Sequence, residues 1–179
     1  MVLPQKGRLA VQIRPARVSD ASLFHAWRAE PSIGRFQPIR DVPLSQIRSD
    51  VASQRMEGIH ESRGDRFQWI IEADAHPAGW ITLVIGNWEH GLCEIGFALS
   101  TEYQGQGLMV QALSLLEPEL FLRTNIERIE ARCAVENHAS RKVLEKVGFH
   151  REGLLRGYFV LHGQRVDHYL YALLKDDYL

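Results

Sequence analysis

A chain of 179 residues, 45% hydrophobic and 24% charged, can bury a substantial core as one domain and needs neither disulfides nor metal to do so. Its formal charge of −1, from 21 Lys and Arg against 22 Asp and Glu, excludes the broad basic field that gathers nucleic acid and leaves room only for a local basic groove. The two cysteines, Cys93 and Cys133, lie in apolar stretches with no CxxC pair, so buried free thiols are expected and neither a disulfide framework nor a metal site.

The first twenty residues carry Lys6, Arg8, Arg14 and Arg17 without an apolar core, so no signal peptide is expected. No apolar run approaches the ~20 residues that cross a bilayer. The expectation is a soluble, cytoplasmic protein of one domain, residues 1–179, with no membrane partner.

In chain order, Val11–Arg14 predicts a strand. Ser19-Asp20 opens a helix whose apolar face is Leu23, Phe24 and Trp27. Pro31 to Pro43 reads as a loop, and Leu44 to about Gly58 as a more polar helix seated on Leu44, Ile47, Val51 and Met56. Arg66–Ala73 and Ala78–Ile85 are rich in β-branched and aromatic residues and predict strands joined by a turn at His76-Pro77. After a turn at Asn87–Gly91, Leu92–Leu99 alternates: Cys93, Ile95, Phe97 and Leu99 face one way, Glu94, Gly96, Ala98 and Ser100 the other.

From Gly107 the period becomes helical, through Met109, Leu113, Leu116 and Leu120, with Pro118 expected to kink or shorten the helix. Arg128–Val135 is the next strand. Asn137 is a candidate N-cap for a helix burying Val143, Leu144 and Val147 and ending at Gly148. Strands near Phe149–Leu155 and Val166–Leu173 flank a turn at His162-Gly163. The class is mixed α/β.

The segment Gln104-Gly105-Gln106-Gly107-Leu108-Met109 joins a strand to a helix. Two glycines admit close backbone approach, and amides opening a helix can cradle phosphate oxygens without a lysine. It lacks the GK[ST] of a Walker loop and the third glycine of a dinucleotide fingerprint, and follows several strands rather than the first.

This segment resembles the pyrophosphate loop of the GNAT acetyltransferases, R/Q-x-x-G-x-G/A. The run from Asn137 to Phe149, NHASRKVLEKVGF, resembles that family's N-x-x-[AS]-x-x-x-[YL]-E-K-x-G-F. The strand CEIGFAL and the ending Gly163-Gln-Arg-Val-Asp167 look like the branch of ribosomal-protein N-terminal and spermidine acetyltransferases. The resemblance covers about residues 11 to 173. It implies an α/β (α+β) fold with a mostly antiparallel mixed sheet, splayed between its fourth and fifth strands and flanked by helices, and acetyl-CoA lying in the gap.

Carried over by position, Phe97, Ala98 and Leu99 would offer backbone to the pantetheine arm, and Gln104, Gly105, Gln106, Gly107, Leu108 and Met109 would hold the pyrophosphate. Asn137 would contact the pantetheine or adenosine side. Met109 stands where many members have alanine or glycine. Leu144 stands where many have a tyrosine acid, so Ser140, a turn earlier, is the candidate to protonate the departing thiolate; its plain alternative is a helix-start residue. Oxyanion stabilisation is expected from a backbone amide of the Phe97–Leu99 stretch.

Glu94 is the candidate base, with small neighbours Gly96 and Ala98 leaving room for an amine; pairing with an arginine, or binding the substrate cation, stands equally beside that role. Histidines are read as surface or packing residues, with His90, in the turn before Glu94's strand, set apart as the one nearest to a catalytic role. Trp69, Trp80 and Trp88 are read as core or rim aromatics, and Tyr158 and Asp167 as structural hydrogen-bonding residues near the substrate end. Three functions follow: acetylation of a protein or peptide N-terminal α-amine, acetylation of a polyamine or other small amine, and a non-catalytic acyl-CoA-binding module. A homodimer is compatible with each.

Overall fold

The computed structural model describes residues 9–178; Lys6 and Arg8 lie outside them. Its centre is a seven-stranded sheet in the order β1-β2-β3-β4-β5-β7-β6. The strands are β1 Val11–Pro15, β2 Arg66–Ala73, β3 His76–Asn87, β4 Leu92–Leu99, β5 Arg128–Ala134, β6 His150–Leu161 and β7 Gln164–Leu174. All neighbours are antiparallel except β4 and β5. The helices are α1 Ala21–Arg28, α2 Pro31–Gly34, α3 Leu44–Ser53, α4 Leu108–Arg123, α5 His138–Lys146 and α6 Lys175–Tyr178.

Two-residue alternation divides the core in two. The row Ile70↔Trp80↔Ala98 faces one side of the sheet, where Phe24 and Trp27 of α1 and Ile47 and Val51 of α3 cover it. Trp27 stacks on Trp80, ring centroids 5.8 Å apart and 13° from parallel. Ile71, Ile81 and Ile95 belong to the other core, closed by Leu113, Leu116, Leu120 and Phe121 of α4. Complete burial of such a side chain contributes roughly 1.5–3 kcal/mol, which is what fixes the strand register against a one-residue slip. The alternation expected for Cys93 to Ser100 follows this division.

Several boundaries differ from expectation; β6, expected near Phe149–Leu155, runs on to Leu161. The β2–β3 turn is Asp74-Ala75, not His76-Pro77: both residues have positive φ, 49° and 63°, as a two-residue hairpin turn requires, and Asp74 Oδ1 accepts from Ala10 N at 2.8 Å. Pro77 falls beside the register shift at Ile71/Glu72, which accommodates its missing donor. Pro31 starts the helical turn α2, because proline suits a first helical position. The second expected helix is shorter, α3 ending at Ser53 before a 3-10 turn at Met56–Ile59. α4 runs through Pro118 to Arg123: the proline costs about 3 kcal/mol in a helix interior, and Leu116, Leu120 and Phe121, each at most 2% exposed, offset it by packing. The N-cap at Asn137 is as expected, with Asn137 Oδ1 accepting from Ser140 N at 3.2 Å. So is the stop at Gly148, φ 94°.

β4 and β5 touch over three pairs only, Leu92↔Arg128, Cys93↔Ile129 and Glu94↔Glu130. Beyond Glu94 they part. β3 continues to hold β4 as far as Leu99, and β7 holds β5 as far as Ala134, so each strand stays ordered while the space between them opens.

Candidate active site

At the wide end of the gap the chain leaves β4, makes a 3-10 turn at Thr101–Tyr103 and enters α4 through Gly105 and Gly107. Both glycines are left-handed, φ 74° and 73°, and no atom lies within 4 Å of where a Cβ would stand on either. The space above them is open, and any other residue would be strained there. The two glutamines face the protein: Gln104 Nε2 donates to Leu99 O at 2.9 Å and Gln106 Nε2 to Glu102 O at 2.9 Å. They brace the loop, and the backbone is what it presents. The first backbone bond closing α4 runs from Gln111 N to Gly107 O at 3.3 Å, leaving the amides opening the helix without intrahelical partners.

Below the loop lies a cavity of about 210 Å³ lined by Phe97, Leu99, Gly105, Met109, Asn137 and Ser140. Here the edge of β4 has no strand beside it. Phe97 O accepts from Gln37 Nε2 at 3.0 Å, as Leu99 O does from Gln104, so side chains stand in for a neighbouring strand. Thr101 is tied to the α1–α2 region through Glu30, whose Oε2 accepts from Thr101 N at 2.7 Å.

A second cavity, about 270 Å³, continues toward the narrow end and is lined by Thr82, Glu94, Gly96, Arg132, Ser140 and His168, among others. Glu94 closes it, the last β4 residue paired to β5, and forms an ion pair with Arg132. Arg132 also donates to Glu130 Oε2 at 3.3 Å, and its guanidinium lies 5.6 Å from the Tyr158 ring. Nothing lies within 4 Å of a Cβ built on Gly96, so the space beside Glu94 is free. Thr82 Oγ1 accepts from the buried Gln68 at 3.1 Å, which leaves its own proton for the cavity. His168, 2% exposed, is 3.0 Å from Val166 O through Nδ1; a carbonyl only accepts, so Nδ1 carries a proton.

Asn137 and Ser140 line both cavities, at their junction. Burial pushes the neighbouring Cys133 thiol, which donates to Ala134 O and Asn137 O, up to about 11 and so keeps it protonated near neutrality. Leu144, 1% exposed, fills the position expected of a tyrosine acid with apolar packing.

The structure therefore gathers Glu94, Phe97, Ala98, Leu99, Gly105, Met109, Asn137 and Ser140 around one cleft. Gln104 also lines it, whereas Gln106, Gly107 and Leu108 line neither cavity. His90 is a turn residue bonded to Asn87 Oδ1, outside both cavities. Trp69 and Trp80 are buried, Trp80 also lining the second cavity, and Trp88 donates to Gly64 O at 2.7 Å. Asp167 Oδ1 accepts from Gly157 N at 2.6 Å, a structural role as expected. Sequence reasoning missed Arg132, Gln37, Thr82, Arg28 and Arg66. Only Arg132 left a trace, in the alternation of Glu130 and Arg132 along β5; the others come from segments whose pairing no local pattern announces.

A mixed sheet parted between parallel neighbours, with a glycine-opened helix start above the gap and a carboxylate at its apex, defines an acyltransferase architecture. The chain belongs to the acetyltransferase (GNAT) domain family, whose model matches residues 10–150. It is 30% identical over 169 residues to the uncharacterized N-acetyltransferase p20 of Bacillus licheniformis, covering 93% of each chain. It is 27% identical over 170 residues to the spermidine N(1)-acetyltransferase of Escherichia coli K12, covering 95% and 89%. Among solved structures, Mycobacterium smegmatis RimJ in complex with CoA-disulfide superposes with a TM-score of 0.82 at 27% identity, over 95% of this chain and 86% of that one. The ribosomal L7/L12 α-N-protein acetyltransferase RimL in complex with coenzyme A gives 0.81 at 24% identity, over 93% and 95%, a likeness of fold.

Proposed function

We propose that this chain moves the acetyl group of acetyl-CoA onto the α-amine of a protein or peptide N-terminus. The observation that carries the reading is the coincidence of three features on one strand edge. Open glycines and unpartnered amides stand at one end, unpaired β4 backbone in the middle, and Glu94 at the apex. Glu94 and Leu99 are five residues apart, about 17 Å of strand, along which an extended arm can pair as a neighbouring strand would. These residues fit the cofactor: a Cβ at Gly105 or Gly107 would stand in the space its diphosphate needs, and the amides of Gly105 to Met109 supply donors for an anion.

Bound there, acetyl-CoA supplies an activated thioester. The chain's own groups do the rest. Gln37 and the Phe97–Leu99 backbone orient the arm. An amide of that stretch donates to the carbonyl oxygen as negative charge grows on it, where a fixed donor is worth most. Glu94, held by Arg132, receives the amine in the space above Gly96 and takes its proton directly or through water. Ser140 donates to the departing sulfur. Its cap is made by its backbone nitrogen, so the hydroxyl is free of that duty.

A second reading, acetylation of a small polyamine, is favoured by the similarity to the E. coli spermidine enzyme. Acetyl-CoA consumption with N-terminal peptides, spermidine and free amino acids separates the two, and the product mass identifies donor and acceptor together. Tight CoA binding without turnover of any amine would instead leave a non-catalytic acyl-CoA-binding module.

A further inference from the structure

The second cavity is not electrically balanced. Glu94 is its one carboxylate among the described residues and is matched by Arg132, yet Arg28 and Arg66 line the same space. Neither has a carboxylate within ion-pair distance among the described residues. Arg28 Nη2 is anchored on Arg40 O at 3.0 Å. Burial and the neighbouring Arg66 charge pull the Arg28 guanidinium below its ordinary pKa, with only Asp50 opposing them. Two half-matched guanidiniums held together are unfavourable alone and become favourable around an anion.

Their position says which anion. Arg66, Val84 and Glu94 form one cross-strand row on one sheet face, so Arg66 starts two strands, about 10 Å, from the carboxylate. That is some three residues of extended peptide. It is also far from the glycine loop, which lies beyond the opposite end of β4, so these arginines do not serve the cofactor's phosphates. Arg28 and Arg66 further line a larger hollow of about 850 Å³ with Gln54 and Gln68, giving a chain room to continue. Asp50, Glu57, Glu61 and Asp65 stand on that hollow's walls together with Arg40, Arg55 and Arg63.

We infer that Arg28 and Arg66 form a carboxylate-reading pair and that the acceptor is a peptide whose second or third residue is Asp or Glu. The inference rests on the N-terminal reading above and opposes a polyamine, which would bring further positive charge to two arginines.

The test compares kcat/KM for synthetic peptides beginning Ala-Glu-Glu, Ala-Gln-Gln and Ala-Lys-Lys, with free glutamate and spermidine alongside. The acidic peptide is expected to exceed the neutral one by at least about tenfold, and the basic peptide to be poorest. Raising ionic strength should erase the acidic advantage, a readout that needs no variant. Arg66→Glu should reverse the order of acidic and basic peptides. Equal use of all three peptides overturns the inference while leaving N-terminal acetylation standing. Preference for free glutamate keeps the arginine pair but overturns the peptide. Turnover of spermidine with no peptide used removes both readings.

Discussion

The two walls of the cleft are built by different means. On the β4–α4 wall the chain offers backbone: left-handed glycines, unpartnered amides and a strand edge, all within residues 94–109 of one another in sequence. Around the rest of the cleft, on both sides of the gap, it offers side chains from α1, β2, β3, β5 and β7, with Arg28, Arg66, Thr82, Arg132 and His168 meeting only because the sheet aligns them. A backbone wall recognises what every donor of one kind shares. A side-chain wall recognises what distinguishes one acceptor from another, and it can be rebuilt residue by residue without disturbing the first.

The contrast can be broken most severely at Gly107. Gly107→Trp puts a large side chain at φ 73° in the open cradle, and CoA affinity by calorimetry should fall at least about 100-fold while the protein still folds. Unchanged affinity would sink the placement of the loop. Next is Glu94→Gln, expected to lower kcat about 100-fold, more than it raises KM, as loss of a general base does. Its pH–rate profile should lose the acidic limb; if the limb persists, Glu94 only binds the amine. Ser140→Ala keeps the backbone cap, so melting should be unmoved while kcat falls about tenfold. No change in kcat would return Ser140 to the helix start alone.

A further effect lies away from the cleft and bears on stability alone. Burial pushes the Glu117 carboxyl, 5% exposed, up to about 7 from an ordinary value near 4.5. The folded state therefore holds its proton longer than the unfolded state, and stability from this group is full below about pH 4.5 and is lost as pH rises toward 7. The loss is of order 3 kcal/mol at most. Glu117→Gln should flatten that slope, narrowing the difference in Tm between pH 5 and pH 8 by some degrees in thermal melts; identical slopes would show the group does not titrate there.

How much of this was legible follows the same division. Arg66–Ala73 was readable to the residue from its β-branched and aromatic side chains, and Leu92–Leu99 from its alternation. The glycine loop and the Asn137 cap were readable because their chemistry is local: φ above zero needs glycine, and a cap needs an acceptor three residues ahead. Pro118 misled, since local propensity for breaking a helix was outweighed by packing from elsewhere. The Glu94–Arg132 pair was anticipated only as a class, an arginine without a number.

The sequence by itself determined where most of the strands lie, the glycine loop and the family, because each depends on residues within a few positions of one another. The tertiary structure alone decided that β4 and β5 separate after Glu94, that Leu144 is walled into the core, and that Arg28 and Arg66 share a cavity with Glu94. Those facts depend on register between strands far apart in the chain. Register is set by the sum of many burials, not by any motif.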